Sequence, residues 1–600
     1  MPASKTTDMP MPAPQEPDNP PPRLDSRITY AGAEARALLV DQTASLDAPG
    51  APEWTRIKQN ASRTVYRGKI ARKDIYLKHF HGQSFFHRLA GMLGISGAAR
   101  ELYYAQYLRS AGVETPEPLA ASSRQPQWCA TLAVENALPG DQWHSQKLAD
   151  GNAGKQAIAS ATTALAKLVA RMHGAGVIHR DLHLGNVLVV QQDQTARLVL
   201  TDLHRLKRRM HLSRLSRTAN LAQLLHDRRD TTTRTQRLRF LKHYLAQSGA
   251  RGTLRGWEFL ITQMARRHTR KHHAHRDRRI TGKNRYFTDV SLPNRWKGHV
   301  VLASKHRPPG STAADQVLTT EQWTRVLSQG TRLLEGDGVE IIKDSPSGQV
   351  VRRRLKIGEI ELDVHIKRPR RKRPWKIVLD CLRPSRSLRA FRIGHQLMTR
   401  GVNTALPLAA VERRIGPFLT DSILITETVP ASHLNQFLHV RLAHVADPQL
   451  AGLSQAKQES IARNVLSSLG HMVRRLHDNN LVHRDLKSGN ILVHWTLADG
   501  PRVVLIDLDG IKRVAHISMR QRFQGLMRLN VSLLECTSVS HAGRLRMLLG
   551  YLRHPGAGRI HFKPYWRVLQ QWSAKKLNQQ ITSRRKRQRK GKRGSGRATV

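Results

Sequence analysis

One half of this 600-residue chain is a diverged copy of the other. HRDLHLGNVLV, beginning at His179, returns as HRDLKSGNILV at His483. Each is followed by an apolar run ending in an acid, LVLTDLHRLKR with Asp202 and VVLIDLDGIKR with Asp507. Each is preceded by a β-branched stretch holding a lysine, IYLKHF with Lys78 and VHIKRP with Lys367, and a Gly-Val pair stands 34 residues after each lysine, at Gly112 and Gly401. Downstream, RLRFLKHYL from Arg237 is answered by RLRMLLGYL from Arg544. The separation between matching residues grows slowly, 289, 304, 305 and then 307. That drift is what a duplicated domain with a few loop insertions produces, whereas solenoid repeats are far shorter. The chain is also too long for a single hydrophobic core.

Both copies have the same element pattern. Short β-branched runs (TVYRGKIARKDIYLKHF; VVRRRLKIGEIELDVHIK) predict hairpins around each lysine. A helix follows, AARELYYAQYLRSAG or SLRAFRIGHQLMTRG, stopped in each case by a glycine. Strand-like ATLAVENAL and SILITETV come next. After them an amphipathic helix, ALAKLVARMHGAG or SSLGHMVRRLHDNN, runs into the His-Arg-Asp loop, and the remainder is helical and basic. The expected class is α+β: two tandem protein-kinase-like domains, each a small sheet-rich lobe followed by a larger helical lobe. The expected organisation is a disordered Pro-rich N-terminus over 1–50, a first domain over 51–290, a linker over 291–325, a second domain over 326–575 and a basic disordered tail over 576–600.

Phosphoryl transfer asks a protein for positioned phosphates, a divalent cation to absorb charge and a carboxylate to orient the attacking hydroxyl. The spacing H-R-D-x-x-x-x-N supplies two of these. Asp181 or Asp485 would accept the hydroxyl proton, and Asn186 or Asn490 would turn an amide oxygen to the metal. Asp202 or Asp507, ending a buried strand, would chelate Mg²⁺, and Lys78 or Lys367 would grip the α- and β-phosphates of ATP. Glu101, on the helix after the first lysine strand, is placed to pair with Lys78. The second copy departs here: the same offset puts Ala390 where Glu101 lies, among Leu388, Arg389, Phe391 and Arg392. Lys367 must therefore find another partner or the second copy is impaired. Neither copy has G-x-G-x-x-G before its lysine; NASRTVY and SPSGQVV stand there instead.

The metal aspartates sit in DLH and DLDG, not D-F-G, and no A-P-E follows. Another helix-like stretch, SRTANLAQLL, begins about fifteen residues after Asp202, leaving little room for a peptide-docking segment. This points to small-molecule or glycan hydroxyls as acceptors. Both copies resemble the lipopolysaccharide kinase family, kinase-fold enzymes that phosphorylate heptose or Kdo of the lipopolysaccharide inner core. The resemblance rests on LKHF, ARELYYAQYLRSAGVETPEPLA, HRDLHLGN and TDLHRLKRR in the first copy. In the second it rests on IKRP, SRSLRAFRIGHQLMTRGVNTALPLA, LITETVP, HRDLKSGN and LIDLDG. It covers most of 55–250 and 335–555 and implies ATP- and Mg²⁺-dependent transfer to a sugar hydroxyl at the cytosolic face of the inner membrane.

Charge bears on partners. Lys plus Arg number 100 and Asp plus Glu 44, a net charge of +56, which draws polyanions. An anionic glycolipid or phosphosugar acceptor on an anionic bilayer fits, each nearby cation contributing on the order of 1 kcal/mol within a Debye length of about 8 Å. The rival is nucleic acid, for which ARRHTRKHHAHRDRRITGKNRYF offers cations beside Tyr286 and Phe287. A kinase-fold regulatory or polyanion-binding protein, or a protein kinase with one or both domains weakly active, is the alternative function. His272, His273 and His275 lack further ligands at metal spacing. The three cysteines (Cys129, Cys381, Cys536) form neither a disulfide framework nor a zinc pattern. No apolar run of spanning length or signal-peptide core is present, and a cytoplasmic location with peripheral membrane contact is expected.

Overall fold

The computed structural model describes residues 27–59, 62–81, 96–192, 195–228, 232–370, 381, 383–442, 452–553 and 561–595. The chain divides into two compact units, Met1–Arg270 and Lys271–Val600.

The first unit opens with an antiparallel six-stranded sheet in the order Ile28–Tyr30, Pro118–Ser122, Gln127–Leu132, Lys73–Phe80, Arg63–Ile70, Trp54–Gln59. Ile75, Leu77 and Trp128 alternate onto one face, where they pack with Trp54, Leu39 and Leu46. The other face, bearing Lys78 opposite Cys129, takes the helix Gly97–Ser110. That helix starts where the Ser96 hydroxyl accepts the Ala99 amide at 3.0 Å. It ends just before Gly112 at φ 69°, a conformation that costs glycine nothing. The helical portion (Gly140–Lys147, Gly151–Gly174, Arg214–Arg228, Arg234–Ser248, Leu254–Arg279) surrounds a core of Leu108, Met172, Tyr244 and Trp257.

The second unit has the same plan. Its seven-stranded sheet runs Phe287–Leu292, Trp296–Val301, Pro407–Ile415, Phe418–Glu427, Ile360–Pro369, Gly348–Ile357, Glu340–Ser345. The helix Arg386–Thr399 packs on it, capped by Ser385. Helices Leu434–Leu442, Gln455–Asp478, Met519–Leu533, His541–Leu552 and Lys563–Ser595 complete it. No helix among the described residues is long and apolar enough to cross a membrane.

Several expected boundaries move. Residues 28–47, read as disordered from their Pro, Ala and Asp content, carry the strand Ile28–Tyr30 and the helices Ala33–Leu39 and Thr43–Asp47. Their spaced apolar residues cover the sheet face, and Trp128 Nε1 donates to Asp47 Oδ1 at 2.8 Å. The expected linker 291–325 is folded as well. The hairpin Phe287–Val301 pairs with Pro407–Ile415, and the helix Thr320–Leu327 buries Trp323, whose Nε1 donates to Val301 O at 2.8 Å. Without that hairpin, Pro407–Ile415 would present an unpaired sheet edge. The hairpin thus belongs to the second unit, which begins at Lys271 within the helix Leu254–Arg279. The helix Lys563–Ser595 runs through the start of the expected tail, its first half held by buried Leu569 and by Ser573, which bonds Asn530 at 2.8 Å. Expectations for 1–26 and 596–600 lie outside the described residues.

Candidate active site

In the first unit the expected residues converge where the sheet meets the helical portion. Lys78 points from its strand to Glu101 on the covering helix, and the two form a buried ion pair. Glu101 also accepts from His204, through its backbone N–H at 3.0 Å and Nδ1 at 3.1 Å. His204 Nδ1 lies 3.2 Å from Asp202 Oδ1, which Arg63 also contacts. Asp202 follows the strand Thr195–Leu200 in the left-handed region, φ 64° and ψ 47°. Asp507 repeats this at φ 57° and ψ 62°. Aspartate tolerates this conformation better than most residues, at a cost of about 1 kcal/mol or more.

The charges in this cluster are mutually supported. Burial would lower the Lys78 pKa, but the Glu101 and Asp202 carboxylates overcome it and hold the ammonium above its usual value. Burial would raise Glu101, yet Lys78 and His204 bring it down to about 2. Burial likewise opposes ionisation of Asp202, which His204 and Arg63 hold well below the carboxylate range. The same two carboxylates raise His204 against its own desolvation. Among the described residues, Glu101, Asp202 and His204 form a group with metal-ligand proximity, their donor atoms within 4.8 Å of one another. His272, His273 and His275 form no such group among those residues.

The His-Arg-Asp loop is held beside this cluster. The strand Val177–His179 pairs with Leu206–Arg208, so the segments carrying Asp181 and Asp202 are joined. His179 is fully buried, with Nδ1 accepting the Asp181 amide at 3.1 Å and Nε2 donating to Thr201 O at 3.1 Å. These partners require the neutral Nε2–H tautomer, which burial also favours. Asn186 Nδ2 donates to Asp181 O at 2.9 Å, and Asn186 O accepts the Thr201 amide at 2.9 Å. Asn186 is thereby fixed next to the residue preceding Asp202. The Asp181 carboxylate meets Arg205 at 2.9 Å.

The second unit repeats the scaffold with different contacts. Asp485 N–H donates to His483 Nδ1 at 3.1 Å, and Asn490 Nδ2 donates to Asp485 O at 2.8 Å. Asn490 O accepts the Ile506 amide at 2.9 Å, one residue before Asp507. Lys367 Nζ lies 2.9 Å from Asp507 Oδ1 and 3.0 Å from Asp509 Oδ2. Burial would lower Lys367, but Asp509 and Asp507 raise it. Ala390 is buried in the apolar core, as its side chain allows.

Reasoning from sequence missed several residues that the fold brings in. Arg63 precedes Lys78 by a full hairpin, and His204, Arg205 and Asp509 lie in the quoted DLHR and DLDG stretches without an assigned role. Asn220, in the helix Arg214–Arg228, bonds both backbone groups of His179 (to O at 2.6 Å, from N at 3.2 Å) and lies 3.1 Å from His173 Nε2. Its counterpart by the offset is Gly525; in the second unit Ser532 Oγ instead accepts the Ser488 amide at 2.8 Å. Only the HRD spacing itself signalled that such a loop needs anchoring.

The model of the Lipopolysaccharide kinase (Kdo/WaaP) family matches residues 53–244 and again 352–551, together more than half of the chain. A 3-deoxy-D-manno-octulosonic acid kinase from Photobacterium damsela subsp. piscicida is 26% identical over 151 residues, 25% of this chain and 53% of the relative. The chain therefore spans about half the length of the curated relative it matches. A solved structure of WaaP in complex with acyl carrier protein is 20% identical, aligned over 40% of this chain and 98% of its own, with a TM-score of 0.32. Two family matches, each enclosing one strand lysine, one HRD loop and one aspartate after a buried strand, lead to one conclusion: the chain belongs to the lipopolysaccharide kinase (Kdo/WaaP) family and carries that kinase-like domain twice.

Proposed function

We propose that this protein is an ATP-dependent phosphotransferase that moves the γ-phosphoryl group to a sugar hydroxyl, heptose or Kdo of the lipopolysaccharide inner core, with one active site in each repeat. The observation that carries this reading is the gathering, in both units, of a strand lysine, an aspartate after a buried strand and an HRD loop whose asparagine is fixed beside that aspartate.

In the first repeat Lys78 would hold the α- and β-phosphates, kept in place by Glu101. Asp202 and Asn186 offer the hard oxygen donors that Mg²⁺ prefers, and Arg63 and His204 both contact Asp202 through Oδ1. The bound ion would supply charge neutralisation on the phosphates. Asp181 would accept the proton of the acceptor hydroxyl, its backbone set by His179 and Asn186. In the second repeat Asp485, Lys367, Asn490 and Asp507 take the corresponding roles. A net charge of +56 suits peripheral docking of a cytoplasmic enzyme on an anionic membrane that displays the acceptor.

The test is ATP consumption by the purified chain with defined lipopolysaccharide-core acceptors, followed by mass analysis of the product. Asp181→Ala and Asp485→Ala are each expected to remove a separate product. If one abolishes all transfer and the other changes nothing, the two-site reading is wrong. Salt-sensitive retention on nucleic acid with no turnover on any core acceptor would replace the sugar-kinase reading altogether.

A further inference from the structure

We propose that Asp509 is the positioning residue for Lys367 in the second repeat, a counter-ion moved from the covering helix to the turn after the metal-type aspartate. This rests on the phosphotransferase reading of that repeat. It assigns a function to the departure at Ala390, which otherwise reads as the loss of an essential carboxylate.

Three positions differ together. The helices Gly97–Ser110 and Arg386–Thr399 are both 14 residues long and both begin at a serine cap, so Glu101 and Ala390 are structural equivalents. Asp202 and Asp507 both enter a 3-10 turn in the left-handed conformation, so His204 and Asp509 are equivalents too. On the neighbouring strand, Arg63 pairs with the residue two beyond Lys78, and Gly348 with the residue two beyond Lys367.

The first repeat thus places three basic side chains around two carboxylates, with His204 bridging Glu101 and Asp202. The second repeat lacks the helix carboxylate, the bridging imidazole and the guanidinium, and gains one carboxylate. Each lysine nevertheless has a carboxylate in contact: Glu101 for Lys78, with Asp202 acting on it only through space, and Asp507 and Asp509 for Lys367. Removal of Glu101 alone would leave a buried ammonium short of a partner, which costs several kcal/mol. The change at the turn supplies that partner at 3.0 Å. Aspartate is shorter than glutamate, yet from the turn its carboxylate comes within ion-pair distance of the ammonium. A spare carboxylate kept only for the metal would not have to touch Lys367.

The experiment uses the full chain with Asp181→Ala, so that sugar phosphorylation reports the second repeat. Asp509→Asn is expected to lower kcat on the order of 100-fold, the scale on which loss of one preorganised electrostatic group slows an active site. It should also shift the pH profile of Lys367 acetylation, read by peptide mass spectrometry, to lower pH, with Lys78 in the same sample unmoved. Asp509→Glu, which keeps a carboxylate, is expected to retain both properties. In the reciprocal arm, with Asp485→Ala silencing the second repeat, Glu101→Ala should cost activity that Glu101→Ala/His204→Asp recovers.

Transfer within threefold of the parent and an unmoved Lys367 profile in Asp509→Asn would overturn the proposal while leaving the kinase reading intact. So would an Mg²⁺ requirement raised tenfold or more with the Lys367 profile unchanged, which would make Asp509 a metal ligand. If the Asp181→Ala parent shows no transfer and ATP does not protect Lys367 from acetylation, the second repeat is no phosphotransferase and the proposal falls with that reading.

Discussion

Replacing Glu101 by glutamine keeps the side chain's size and one acceptor oxygen for Lys78 but removes the charge. The carboxyl, ordinarily near 4.5, sits at about 2 in the folded chain. At about 1.4 kcal/mol per pH unit, the anion is favoured by about 3 kcal/mol. Glu101 is only 2% exposed, so solvent screening does not erode this figure as it would on the surface. Breaking a buried pair elsewhere costs a comparable amount, about 3–5 kcal/mol. Because the folded-state value is depressed, the stabilisation is complete above the unfolded value near 4.5 and is lost as pH falls through about 2. Glu101→Gln should therefore destabilise the first unit by about 3 kcal/mol at pH 7 and by about half that at pH 3. Urea unfolding followed by hydrogen exchange in peptides covering 73–80 and 97–110 isolates that unit from the second. Sugar-kinase turnover by the first repeat, measured with Asp485→Ala, should fall on the order of 100-fold. A loss below about 1 kcal/mol at pH 7, or one that does not shrink with acidity, would refute the ion pair as the source.

Asn220→Ala removes three contacts to His179 and His173. It should cost about 2–3 kcal/mol, speed amide exchange across 177–181 and lower first-repeat turnover more than tenfold with the second repeat unchanged. His395 and His477 are buried in the second unit and held at about 3, by burial first and then by His306 and Arg522 respectively. Asp478 partly offsets the effect on His477. The unfolded chain takes these protons near pH 6.5 and the folded one refuses them, so the second unit should lose about 2 kcal/mol per histidine between pH 7 and pH 5; urea midpoints should show it and His477→Gln should remove about half. Glu427, buried at the end of its strand, accepts from Ser311, Ala313 and both donors of Thr312. Glu427→Ala should cost about 3 kcal/mol and strip exchange protection from 311–315 without affecting the first unit.

The duplication, the element order and the HRD, asparagine and aspartate positions were legible in the chain because they depend on local spacing. Four residues between Asp181 and Asn186 suffice to return the asparagine to the aspartate's carbonyl, and a β-branched run suffices to make Lys78 a strand residue. What surrounds those groups was not legible, because it depends on which sheet face and which turn meet in space. Residues 28–47 and 291–301 were misread for that reason: their composition is loop-like, and only an uncovered sheet face and an open edge give them something to bury and pair with. The partner of Lys367 is the sharpest case. Counting along the helix finds Ala390 and stops, whereas Asp509, 142 residues away in sequence, meets the ammonium only because the tertiary fold brings the two side chains within 3.0 Å.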